Sequence, residues 1–170
     1  MPRYVALLRA VNVGGTGALP MTKLNAMCRD AGFANVETYI ASGNVVFDSK
    51  AGAKRVQAEL EARLHAHAKK AVGVLVRTAF EMADILGANP FIDTEPRYTI
   101  VVFLDSAPPA DALDHAVGAN GEEMALGRRE IFVHYPKGMG RSKLRIPAAM
   151  NGTARNLNTV AKLAELAAKR

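Results

Sequence analysis

The chain has no tryptophan, and its aromatic residues amount to only 6% of 170 positions. Proteins that read single-stranded nucleic acid by stacking need several exposed rings on one surface, so this composition argues against base stacking. There is a single cysteine, Cys28. That excludes an internal disulfide and suits a reducing, cytoplasmic compartment. No apolar run reaches the roughly 20 residues that a membrane-spanning helix needs, so no membrane partner is expected. Met1 leads straight into Tyr4-Val-Ala-Leu-Leu8, which reads as a strand with no signal peptide before it. His65 and His67 are two apart and would point to different faces of a helix, while His115 and His134 have no partner histidine nearby in sequence. Neither a metal site nor a cofactor is expected. A Gly-x-Ser-x-Gly elbow and an ordered Ser, His and acid set are likewise missing.

The C-terminal fifth lacks acid. Residues 1–136 carry 14 Lys+Arg against 15 Asp+Glu, whereas residues 137–170 carry eight Lys+Arg against one acid, Glu165. The whole excess of +6 therefore lies in the last fifth of the chain. Such an asymmetry points to an anion near that region, whether phosphate, nucleic acid or an acidic partner; the alternative is a solvated basic tail.

What is present is ordinary globular material. Hydrophobic residues are 49% and charged residues 22%, enough at this length to bury a core without disulfides or metals. Strand-like runs at Tyr4–Arg9, Val36–Ile40, from Val45, and Gly73–Arg77 alternate with two helical patterns. The first opens at Pro20 and runs to about Ala31, where Gly32 stops it. The second runs from Ala53 to Lys70, with Val56, Leu60 and Leu64 on one stripe. The order β-α-β-β-α-β is that of a ferredoxin-like lobe. Beyond it, Thr78 caps a short helix, Ala79–Leu86. A strand at Tyr98–Leu104, a helix from Pro108 to about Val117, a hairpin of Glu122–Gly127 with Glu130–Tyr135, a short helical piece from Ser142 and a final helix Ala154–Ala168 follow. This half reads β-α-β-β-α, close to a second copy. The fold class is α+β, with two ferredoxin-like subdomains packed together, about 1–78 and about 79–170, in one 1–170 domain.

Five segments carry a family likeness: Tyr4-Val-Ala-Leu-Leu-Arg-Ala-Val-Asn-Val-Gly-Gly15, Tyr39-Ile-Ala-Ser-Gly-Asn-Val-Val-Phe47, Asn89-Pro90-Phe91, Ser142-Lys143-Leu144, and Thr153-Ala-Arg-Asn156 with Asn158-Thr159-Val160. In this order they resemble the bacterial domain of unknown function 1697 from end to end. The resemblance implies two ferredoxin-like subdomains and no particular activity. The family usually has Trp where this chain has Leu157, and the stretch between Leu144 and Thr153 is short here and carries Pro147.

Three places stand out as candidate binding sites. Arg9 and Asn12 lie in a loop rich in glycine that follows a strand and precedes a helix. Backbone amides there could cradle an anion, or the glycines could simply serve the turn; neither the dinucleotide fingerprint nor the phosphate-loop spacing is met. Ser42 and Asn44 flank Gly43 in a tight turn, from which their side chains could line a cleft. The most suggestive region is 137–158. Thr153 is expected to N-cap the final helix, which would put Arg155 and Asn156 in its first turn, where a cation opposes the helix dipole. With Ser142 and Lys143 close by, an anion would relieve the strain; the alternative is an acid elsewhere in the fold. Cys28 falls on the apolar face of its helix and reads as a buried structural thiol.

Three functional readings follow. The preferred one is a small anionic ligand, bearing phosphate or carboxylate, held in a cleft between the lobes by Arg9, Asn12, Ser42, Asn44, Ser142, Lys143, Thr153, Arg155 and Asn156. No general base or nucleophile is evident, so this is a binding constellation before a catalytic one. The alternatives are a nucleic-acid-binding module that uses the basic C-terminal region, with Tyr39 and Phe47 as the stacking candidates, and a protein-interaction module.

Overall fold

The computed structural model describes residues 1–9, 19–40 and 43–169. The chain divides into two compact units, Met1–Ala83 with Leu163–Arg170, and Asp84–Lys162.

In the first unit, β1 (Arg3–Leu8), β2 (Ala34–Thr38), β3 (Asn44–Asp48) and β4 (Val74–Thr78) form an antiparallel sheet in the order β2-β3-β1-β4. Helices α1 (Met21–Asp30) and α2 (Ala53–Ala68) make the crossovers. The period of two along the strands sends Tyr4, Ala6, Leu8, Val45, Phe47, Val74 and Val76 into one core. There they meet Leu24 and Cys28 of α1 and Val56, Leu60 and Leu64 of α2, spaced four apart along each helix. Phe47 stacks on Phe33 with ring centroids 4.3 Å apart. Val5 and Leu7 are buried too, which is why β1 reads as an unbroken apolar run rather than an alternating one. Pro20 stands at the N-cap of α1 and Gly32, at φ +87°, ends it. Helix α3 (Ala79–Ala88) opens on a capping box. The Thr78 hydroxyl accepts from the Glu81 amide (3.1 Å), and the Glu81 carboxylate accepts from the Thr78 amide (2.9 Å).

The second unit repeats the plan. Strands β5 (Thr99–Phe103), β6 (Glu123–Leu126), β7 (Glu130–His134) and β8 (Thr153–Asn156) are antiparallel in the order β6-β7-β5-β8, and α4 (Leu157–Ala168) follows. Its core gathers Ile100, Val102, Leu104, Ile131, Val133 and Ile146. Both crossovers are reduced to single 3-10 turns, Ala112–His115 and Pro147–Ala149.

Three local expectations give way here. The helix expected over Pro108–Val117 is one 3-10 turn, because Ala116 is already extended and Val117 exchanges backbone hydrogen bonds with Arg145 at 2.9 and 2.8 Å. The same bridge holds Arg145 extended and displaces the helical piece expected from Ser142 to Pro147–Ala149. The last helix begins at Leu157 rather than Ala154. Thr153–Asn156 pair with Phe103–Ile100 of β5, closing the edge of the sheet. The N-cap is Asn156, whose Oδ1 accepts from the Thr159 amide at 2.9 Å.

Candidate functional site

Thr153 and Arg155 are therefore strand residues, not a helix cap and its first turn. Both are buried on β8. Arg155 lies opposite Val101 of β5, and its Nη1 donates to the Ala154 carbonyl at 2.9 Å. The first unit carries the same arrangement. Arg77 on β4 lies opposite Val5 of β1 and donates to the Val76 carbonyl at 3.1 Å. An arginine that recurs at the matching place of both sheets belongs to the fold before it belongs to a site. Burial pushes the Arg155 guanidinium down to about 10, which leaves it charged at neutral pH. The Thr153 hydroxyl is buried with no hydrogen-bond partner among the described residues.

Asn44 is also accounted for locally. It is fully buried, its Nδ2 donates to the Tyr39 carbonyl at 3.0 Å, and its own carbonyl accepts from the Tyr39 amide at 3.0 Å. These bonds zip the β2–β3 turn around Gly43, which needs its φ of +88°. Arg9 is exposed at the end of β1, and its amide donates to the Gly73 carbonyl at 2.9 Å. Asn12 and Ser42 lie outside the described residues. Phe47, one of the two stacking candidates, is spent in the core.

Ser142 and Lys143, by contrast, line a cleft of about 580 Å³ within the second unit. Two stretches of backbone form it, 118–122 leading into β6 and 135–143 leaving β7. The Val117–Arg145 bridge clamps them together at one end. Beside that bridge, Gly118 has φ +76°, and a Cβ there would collide with the Lys143 carbonyl oxygen, so only glycine allows the approach. At the middle, the Ser142 hydroxyl donates to the Glu122 carboxylate at 2.6 Å and accepts from the Leu144 amide at 3.2 Å. The other Glu122 oxygen accepts from the Asn120 amide at 2.7 Å.

The cleft mixes charges unevenly. Lys137, Arg141 and Lys143 stand against one acid, Glu122. The Ser142 hydroxyl, then the Asn120 amide and the charge of Lys137, hold the Glu122 carboxyl below the usual carboxylate range. Tyr135, half-buried, has its phenol pushed up by burial and by Glu122. Arg141 and Lys143 make no ion pair or side-chain hydrogen bond among the described residues. Sequence reasoning missed Glu122 and Tyr135. Glu122 meets Ser142 only across 20 residues of sequence, and Tyr135 reads there as the end of a strand-like run. Thr153, Arg155 and Asn156, although close to this region in sequence, do not line the cleft. No group of His, Cys, Asp and Glu suited to holding a metal ion occurs among the described residues, and no helix there is long and apolar enough to cross a membrane.

The family model described as Protein of unknown function (DUF1697) matches residues 1–132. The chain belongs to this family. A comparison with curated proteins gives no match. Among solved structures, the chain is similar to the conserved bacterial protein SP0830 from Streptococcus pneumoniae, with a TM-score of 0.82, 22% identity and 98% of each chain covered. At that identity the likeness carries the fold alone, and the two four-stranded antiparallel sheets of this chain have the strand order of two ferredoxin-like subdomains.

Proposed function

We propose that this protein binds a small anionic ligand in the cleft of its second unit, with Arg141 and Lys143 as the anion-holding groups. The observation that carries the reading is that these two cations line a concave site and have no acid partner among the described residues. Guanidinium and ammonium groups in that situation attract a phosphate or carboxylate. The site expected from sequence thereby shrinks to Ser142 and Lys143, joined by Arg141 and Lys137.

Binding fits the groups better than catalysis does. A general base works best with a pKa near the working pH. Glu122 is displaced the other way, and Ser142 is engaged in holding the loop. The single buried thiol supports a cytoplasmic setting.

The test is titration calorimetry of inorganic phosphate against the protein at low salt and against the double variant Arg141→Ser, Lys143→Ser. Heat of binding that disappears in the variant, with the circular dichroism spectrum unchanged, supports the reading. Absence of binding to the folded wild type overturns it. A labelled single-stranded oligonucleotide serves as the comparison, because salt-sensitive binding lost in the same variant would assign the cleft to a nucleic-acid backbone instead.

A further inference from the structure

Glu122 is the anomaly in an anion site. A carboxylate among three cations repels the ligand those cations attract, and it is kept ionised by its neighbours. The Ser142 hydroxyl at 2.6 Å and the Asn120 amide at 2.7 Å each occupy one acceptor position on a different oxygen. A carboxylate has about four such positions, so acceptor capacity remains on both oxygens, and Glu122 lines the cleft. Resting on the anion reading above, we infer that the cleft takes a phosphate monoester that also carries hydroxyl groups, a polyol or sugar phosphate, with Glu122 accepting a ligand hydroxyl.

Charge, size and chemistry agree on that class. Three cations and one carboxylate leave the cleft at about +2, the complement of a phosphate dianion whose remaining groups are neutral. A carboxylate ligand or a ligand bearing an ammonium group would leave charge uncompensated. The volume of about 580 Å³ falls in the usual range for small-molecule sites, roughly 300–1,000 Å³, and exceeds what bare phosphate occupies. The open, largely polar lining, with exposed Lys137, Arg141 and Lys143 and Tyr135 as its one aromatic group, suits a hydroxylated ligand better than an apolar one. Glu122 would then act as a specificity group. It penalises an anion with nothing to donate, and it rewards one that places a hydroxyl against a charged acceptor.

The experiment compares methyl phosphate with glycerol 3-phosphate by titration calorimetry, on the wild type and on Glu122→Gln, with thermal melts to confirm that both are folded. In the wild type, glycerol 3-phosphate is expected to bind about tenfold tighter, the effect of one hydrogen bond to a charged group. In Glu122→Gln the preference is expected to shrink to about twofold, while methyl phosphate binds as well as before or better, because the repelling charge is gone. Equal affinity of the two esters for the wild type, or an undiminished preference in the variant, would overturn this inference and leave the anion site standing. Failure of both esters and of inorganic phosphate to bind the folded wild type would instead remove the anion reading itself.

Discussion

Arg3 Nε donates to the carbonyl of Leu166 at 3.1 Å, tying the first strand to the last helix across 163 residues. Its two remaining nitrogens donate to Asp48 and Glu37, each at 3.2 Å, and Nη1 also to the Asn35 carbonyl at 3.1 Å. The guanidinium is buried, so removing it takes a charged partner from two carbonyls, from Asp48, which keeps its bond from Asn35 Nδ2, and from the half-exposed Glu37. We expect Arg3→Met to cost about 3 kcal/mol of unfolding free energy, read from urea denaturation at pH 7. A cost below about 0.5 kcal/mol, the usual scale of a surface substitution, would show that the network is held for geometry only.

Thr153→Val separates two roles for the buried threonine. The swap keeps shape and removes a hydroxyl that has no partner among the described residues. A structural position gains from this, by about 1 kcal/mol, since an unsatisfied buried hydroxyl is unfavourable. A ligand-binding position would instead lose phosphate affinity. We expect a raised thermal midpoint and unchanged calorimetric affinity, because Thr153 does not line the cleft.

Ser142→Ala should be visible as a titration change. Hydrogen bonding from Ser142 is the largest cause of the lowered Glu122 pKa. A carboxylate with a folded pKa below its unfolded value contributes stability above the unfolded pKa, about 4.3. It loses that contribution as pH falls through the lower folded value. Deleting the hydroxyl moves the folded pKa up toward the ordinary range and moves that loss to higher pH. Carboxyl carbon chemical shifts followed against pH measure it directly; an unmoved Glu122 midpoint would contradict the 2.6 Å bond.

Cys28 offers a check on the first core. Burial pushes its thiol up to about 12, against a smaller opposing effect of Arg63, so the reactive thiolate is scarce at pH 8. An aromatic disulfide reagent should leave the native protein unmodified and label one thiol on addition of denaturant. Rapid labelling of native protein would mean that the α1 face opens freely.

The first unit was legible because its signals are local. Pro20 and Gly32 bound α1, valine and leucine four apart mark α2, and each strand is a short apolar run between turn residues. The second unit was harder because its backbone is decided by pairings far apart in sequence. The Val117–Arg145 bridge overrides two helical tendencies. At Thr153-Ala-Arg-Asn156 two capping residues compete for one helix start, and the edge of β5 takes the first four positions as β8. A fourth strand was foreseeable from the first lobe's own plan, which needs one beside its first strand, but no local propensity says so.

The candidate site divides along the same line. Composition and order in the sequence determined the fold class, the lone structural thiol, and the concentration of positive charge beyond residue 136. Only the tertiary structure decided which of those charges act together. Arg155 went to a buried place on an edge strand, matched by Arg77, while Arg141, Ser142 and Lys143 met Glu122 across the cleft. The reason is physical: charge is a property of residues and can be counted, whereas convergence depends on backbone hydrogen bonds between strands that the sequence does not place side by side.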